Sequence, residues 1–134
     1  MPKQIDELNF PDTLRYSSDH EWAKLEGNLV EVGLNDYAQD QLGDVVFVEL
    51  PERGSVFSAN EVFATVESVK AVSECYIPVG GEIVEVNSAL EDSPETVNKD
   101  PYGAGWFVKV KPAGSSELDS LMTAEAYVAS LKGE

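Results

Sequence analysis

The chain is poor in cysteine, histidine and basic residues, and each shortage excludes something. A single thiol, Cys75, among 134 residues cannot close an intramolecular disulfide, so no disulfide framework shapes this fold. Set among strand-forming residues, Cys75 reads as a buried small hydrophobe and gives no reason to invoke an oxidising compartment. One histidine, His20, lies far from that cysteine in sequence, which leaves no metal-ligand spacing of the usual kind, and no metal is expected. Nine Lys and Arg stand against 25 Asp and Glu, for a formal net charge of −16. That balance excludes nucleic acid, whose phosphates need clustered cations, and anionic membrane surfaces for the same reason. It leaves two readings: solubility, or steering toward basic docking surfaces on partner proteins. No apolar run is long enough to span a bilayer, and no secretory apolar region follows Met1. The stretch Met1 to Leu8 is acidic and free of Arg, unlike a mitochondrial transit peptide. The expectation is a bacterial-type cytoplasmic protein and a monomer. A processed form from the mitochondrial matrix, restarted with a new Met, would look the same.

Catalytic motifs are absent too. No serine sits in a nucleophile elbow. Gly80-Gly81 and Gly103-Ala104-Gly105 read as turns, because neither has the strand and helix context of a phosphate loop.

The remaining pattern is that of one strand-rich domain spanning 1–134. Residues 1–12 form a weakly structured N-terminal extension, and Leu14-Arg15-Tyr16 begins the sheet. Trp22 to Glu26 and Leu29 to Gly33 are strands around the turn Gly27-Asn28. Asn35 or Asp36 caps a short helix, Tyr37 to Leu42, stopped by Gly43. Val45 to Leu50 is a strand ended by Pro51, and Glu52 to Ser55 is a turn. Gly80-Gly81 precedes a strand over Glu82 to Asn87. Ser88 to Gly105 is a long irregular stretch with a helical turn near Leu90, and Trp106 to Lys111 is a last strand stopped by Pro112. Leu118, Leu121, Met122, Val128 and Leu131 recur at helical spacing and predict a C-terminal helical segment over 115–131, broken near Thr123, whose apolar stripe packs on the core. Ser116 and Asp119 have the spacing of a capping box. Gly27 to Gly33 also echoes Gly81 to Asn87, and Gly43 to Pro51 echoes Gly105 to Pro112, which suggests two sheets related by a pseudo-two-fold.

The most informative stretch is Glu67-Ser68-Val69-Lys70-Ala71. Val62 to Val66 precedes it and Val72 to Ile77 follows it, both rich in β-branched and aromatic residues. The pair reads as a β-hairpin with Lys70 at its tip. A primary amine on a rigid, exposed tip is what an acylating enzyme needs to attach a cofactor. A lone hairpin lysine is ordinarily no more than a solvated side chain or an edge charge that discourages sheet association.

Four blocks, in order, tip that balance. Ser18-Asp19-His20-Glu21-Trp22, Leu42 to Pro51, Glu67 to Ala71, and Asn98 to Trp106 together resemble the glycine cleavage system H protein family. The resemblance implies a mostly β fold: a flattened barrel or sandwich of two antiparallel sheets, the lipoyl/biotinyl carrier or barrel-sandwich hybrid, with a short internal helix and a C-terminal helix. It implies lipoate held covalently on Lys70, with Glu67 read by the lipoylating enzyme (a lipoate ligase or lipoyltransferase). The implied cycle has three partners. A pyridoxal-phosphate glycine decarboxylase loads an aminomethyl group, an aminomethyltransferase passes its carbon to tetrahydrofolate, and dihydrolipoyl dehydrogenase reoxidises the dithiol. The chain would be a swinging-arm carrier in glycine catabolism and one-carbon metabolism, with no catalytic centre of its own. It raises local concentration by tethering. Glu21 and Glu74 are candidates for a carboxylate that protects the loaded arm in a cleft, with His20 and Trp22 beside them. Ordinary packing roles for His20 and Trp22 remain open.

Val69 and Ala71 flank the lysine where biotin carriers place methionines. Lipoyl domains of 2-oxoacid dehydrogenases put Asp before the lysine and lack the C-terminal helix. An H-like protein acting as lipoate donor, relay or scaffold outside glycine breakdown is the alternative the residues exclude least.

Overall fold

The computed structural model describes residues 7–114 and 116–133, and for 116 the backbone alone. Runs of Val, Ile and Phe cut by Gly, Asn and Pro form two antiparallel sheets. The larger contains β1 (Arg15–Tyr16), β2 (Glu21–Glu26), β3 (Leu29–Leu34), β5 (Val56–Phe57), β8 (Gly81–Val86) and β9 (Val108–Pro112), in the order β1-β2-β3-β9-β8-β5. The smaller contains β4 (Val45–Glu49), β6 (Val62–Ser68) and β7 (Val72–Tyr76), in the order β4-β6-β7. The sheets form the flattened sandwich expected and do not close into a true barrel.

Alternation along the strands decides what lies between the sheets. Val30, Val32, Ile83, Val108 and Val110 of the larger sheet are buried against Val48, Phe63, Val66 and Cys75 of the smaller. Phe63 and Phe107 meet at 6.3 Å between ring centroids. Each such side chain, fully buried, contributes about 1.5–3 kcal/mol. Cys75 is the buried hydrophobe expected, and burial pushes its thiol well up.

A second core holds Leu14, Tyr16, Trp22, Ala124 and Tyr127. It fastens the last helix to the first strands, while Leu118 and Leu121 before it pack against the main core. Tyr16 stacks on Tyr127 at 5.1 Å, and Tyr16 and Met122 exchange two backbone hydrogen bonds of 2.8 and 2.9 Å. The C-terminal segment is two helices, α4 (Ser116–Asp119) and α5 (Ala124–Leu131), broken where expected: Thr123 caps α5 by accepting from Ala126 N–H at 3.2 Å. The expected start at Ser115 and the Ser116 side chain of the proposed capping box lie outside the described residues, as do residues 1–6 of the expected extension. The rest of that extension is tied down. Leu8 is buried, Asn9 N–H donates to Asp36, and the Tyr102 hydroxyl donates to the Asn9 carbonyl.

Three expectations shift. Ser88 to Gly105 holds two short helices, α2 (Ala89–Asp92) and α3 (Thr96–Lys99), because Leu90 and Val97 are both fully buried and each needs a helical turn to reach the core. The last strand starts at Val108 and includes Pro112, a position where the chain leaves the ladder and a missing N–H costs little. Only one echoed pair is divided between the sheets: β4 lies in the smaller and β9 in the larger, whereas β3 and β8 both lie in the larger, on either side of β9.

Trp22 depends on one glycine. It pairs across the ladder with Gly33, and a Cβ there would lie 2.8–3.0 Å from the indole. Gly33→Ala therefore forces the buried ring to move, with an expected loss of about 1–3 kcal/mol. Urea unfolding reads the loss directly, and an unchanged midpoint would contradict this packing.

Candidate functional site

Strands β6 and β7 form the expected hairpin, with Glu67 opposite Val72 and a connection of Val69 and Lys70 inside the Ser68–Ala71 pair. Two-residue connections usually need positive φ, but neither residue has it; among described non-glycine residues only His20 and Asn60 do. Ser68 compensates. Its N–H donates to the Ala71 carbonyl at 2.8 Å, and its Oγ accepts from Ala71 N–H at 3.1 Å. Val69 N–H then donates to the Asp44 carbonyl at 3.0 Å, tying the tip to the loop before β4. The Lys70 side chain is exposed, and its Nζ has no hydrogen bond or ion pair among the described residues.

The loop beneath the tip is itself held. Helix α1 (Asp36–Leu42) is capped by Asn35, whose side chain accepts from Ala38 N–H at 2.9 Å. It ends at Gly43, where φ is +75° and a side chain would be strained. Asn98 reaches in from α3. Its Nδ2 donates to the Gly43 carbonyl at 2.8 Å and its Oδ1 accepts from Val45 N–H at 2.9 Å. These bonds bracket Asp44, the residue that anchors Val69.

Beside the hairpin opens a cleft of about 280 Å³ lined by Asp19, His20, Glu21, Leu34, Tyr37, Ala38, Gln41, Leu42, Ser73 and Glu74. Leu42 adjoins Gly43, against which the Lys70 stem lies, and Ser73 and Glu74 follow Lys70 on β7. Glu21 is 1% exposed. One carboxyl oxygen hydrogen-bonds the Ser17 hydroxyl at 2.8 Å and the other faces Tyr76 N–H at 3.3 Å. Burial pushes its carboxyl up to about 8, with Asp19 adding and the Ser17 hydrogen bond opposing. Glu74 is exposed at the rim. His20 is half-buried with φ +72°; its Nδ1 shares a 2.6 Å hydrogen bond with the Tyr127 hydroxyl. Burial lowers its pKa, opposed by Asp19.

The structure thus brings Glu21, Glu74 and His20 to one cleft beside Lys70. Trp22 is not part of it. The indole is fully buried in the second core and donates to the Pro101 carbonyl at 2.9 Å, as strand alternation dictates for the residue after Glu21. Glu67 lies outside the cleft, between Phe47 and Val72 in the smaller sheet. Sequence reasoning missed Ser17, Asp44, Ser68, Tyr127 and Asn98 as supports. Of these, Asp44, Ser68 and Asn98 lie within the blocks that carry the resemblance, and Ser17 and Tyr127 lie outside them.

Fold and site together define a small β-sandwich protein with an exposed hairpin lysine beside a cleft. The model of the family described as glycine cleavage H-protein matches residues 14–134. A glycine cleavage system H protein of Bacteroides fragilis is 54% identical over 122 residues, covering 91% of this chain and 97% of that protein. One of Geobacillus kaustophilus is 56% identical over 122 residues, 91% of this chain and 96% of that one. The crystal structure of a glycine cleavage system H protein from Mycobacterium marinum superposes with a TM-score of 0.84 at 43% identity, covering 93% of this chain and all of that one. The chain belongs to the glycine cleavage H-protein family, the lipoyl carriers of glycine cleavage.

Two outcomes test this geometry. Asn98→Ala leaves Gly43 and Val45 without their side-chain partner; about 1–3 kcal/mol of stability is lost and hydrogen exchange at Val45 and Val69 accelerates. Unchanged exchange at Val69 would contradict the clamp. Glu21 binds its proton more tightly folded than unfolded, so its contribution is present below the usual carboxylate range and fades as pH rises through about 8. The stability of Glu21→Gln relative to wild type should therefore rise with pH over that window in unfolding titrations. A flat difference would contradict the burial.

Proposed function

We propose that Lys70 carries lipoate through an amide and that the adjoining cleft shelters the loaded arm between visits to partner enzymes. The observation that supports this most is the pairing of an exposed amine on a pinned tip with a cleft whose inner wall holds a buried carboxyl. The residues fit the group. An amide at the Lys70 Nζ breaks no hydrogen bond or ion pair among the described residues, and Leu34, Tyr37, Ala38 and Leu42 offer apolar walls to a methylene chain. When bound, lipoate supplies a dithiolane for thiol–disulfide chemistry and for carrying an amine-bearing one-carbon unit from glycine.

The chain's own part is to hold and shield. Glu21 and Glu74 offer negative charge to an ammonium group. An entering cation favours ionised Glu21, so docking displaces the Glu21 proton, and the cleft holds an amine better as pH rises toward 8. Removal from bulk water slows premature hydrolysis. His20, tied to Tyr127 on α5, fixes the wall from which Glu21 projects. Glu67 is read by the enzyme that installs the arm. The partners are glycine decarboxylase, aminomethyltransferase, dihydrolipoyl dehydrogenase and a lipoate ligase or lipoyltransferase, met by one cytoplasmic carrier domain with no catalytic centre of its own. No helix among the described residues is long and apolar enough to cross a membrane.

Lys70→Arg keeps the charge and removes the acylatable amine. Glycine-dependent carbon dioxide exchange with purified partners should fall to background in this variant, and full exchange would overturn the proposal. With lipoylation intact, Glu21→Gln should shorten the lifetime of the loaded carrier severalfold at pH 8, read by ammonia release in the absence of tetrahydrofolate.

A further inference from the structure

Large apolar side chains are not scattered evenly over this surface. Of the seven that are exposed among the described residues, five (Val46, Phe47, Val62, Val69 and Val72) belong to the smaller sheet or its hairpin turn. The register aligns them. Phe47 lies opposite Glu67, and Glu67 opposite Val72, so the three form one row across β4, β6 and β7 on the face away from the core. Their neighbours Val48 and Val66 point inward and are buried. The next row on the outer face is Glu49, Thr65 and Glu74. The face thus reads apolar–acid–apolar, then acid–Thr–acid, and the first row runs into the turn that bears Lys70. None of Phe47, Glu67, Val69 and Val72 lines the cleft.

Building on the carrier reading above, we propose that this outer face is the docking surface for the enzyme that acylates Lys70. Phe47 and Val72 are its apolar anchors, and Glu67 is the charge set between them. Such an enzyme meets the chain before any arm exists, so only the hairpin and its sheet are there to be read. Its active site must also reach the Lys70 Nζ, which brings its surface over this row. The chemistry is balanced: the free amine attacks the acyl carbon of an acyl adenylate, the C–N bond forms, AMP leaves with the C–O electrons, and the amine proton passes to solvent. The partner surface is an apolar centre with a basic rim, complementary to Glu49, Glu67 and Glu74. Glu67 has no ion pair among the described residues and is available to it. A second copy of this chain is the wrong occupant, since each brings a formal charge of −16 and the same carboxylates.

The test is steady-state lipoylation of the full-length chain by a lipoate–protein ligase with ATP and lipoate. The double variant Phe47→Ser/Val72→Ser should raise KM for the carrier by about tenfold with kcat little changed. Its thermal midpoint should stay near that of wild type, because both side chains are exposed. Leu25→Ser and Val56→Ser, exposed apolar positions on the larger sheet, should leave KM unchanged. Equal KM for wild type and the double variant overturns the docking face. So does a fall in kcat alone, an equal effect of the two control variants, or self-association of the wild type that the double variant abolishes without altering KM. Failure of the wild type to be acylated at Lys70 overturns the carrier reading itself, and is distinguished by peptide mapping.

Discussion

The hydrogen bond from Val69 N–H to the Asp44 carbonyl is the contact on which the site depends. A hairpin alone is marginal in water, and a two-residue connection without positive φ does not follow the strands' twist. This bond fastens the tip to the loop between α1 and β4. That loop is fixed by the Gly43 cap on one side and by Asn98 on both. The chain of causes runs from a buried helix turn at Val97, through the Asn98 amide, to the direction in which Lys70 leaves the protein. A reactant on a long arm needs a rigid root more than a rigid tip, because the entropy already lost at the root is not lost again at each docking event.

The cleft obeys a different constraint. Glu21 is the first residue of β2, at the end of the larger sheet nearest β7, and its neighbour Trp22 points the opposite way into the second core. The same alternation that buries Trp22 aims Glu21 at the cleft. Desolvation makes its charged form expensive and pushes its carboxyl up to about 8. The −16 charge surrounds the site with a negative field that keeps like-charged copies apart and falls off over about 8 Å at physiological salt.

Much of this could be read before the structure. β-branched runs and turn residues point to eight of the nine strands found among the described residues, the two-residue β5 giving no pattern; capping residues mark α1, and helical spacing marks the C-terminal segment with its break near Thr123. The hairpin and its lysine were plain. What could not be read was convergence. Glu21 and Glu74 are far apart in sequence, and only the packing of β2 beside β7 sets them in one cleft. Trp22 was grouped with Glu21 through adjacency, yet adjacency in a strand means opposite faces. The polar stretch from Ser88 to Gly105 concealed α3, because one buried Val97 in four residues makes no period. Asn98 looked like a loop residue, and its role rests on three long-range partners that no local pattern encodes.

The central claim is that Lys70 is an attachment point. Intact mass with peptide mapping after incubation with lipoate, ATP and a lipoate–protein ligase tests it most directly. A single lipoyl adduct confined to the peptide bearing Lys70, and lost in Lys70→Arg, is the predicted result. A folded chain that takes up no adduct from an active ligase, or takes it up at another lysine, would contradict the account.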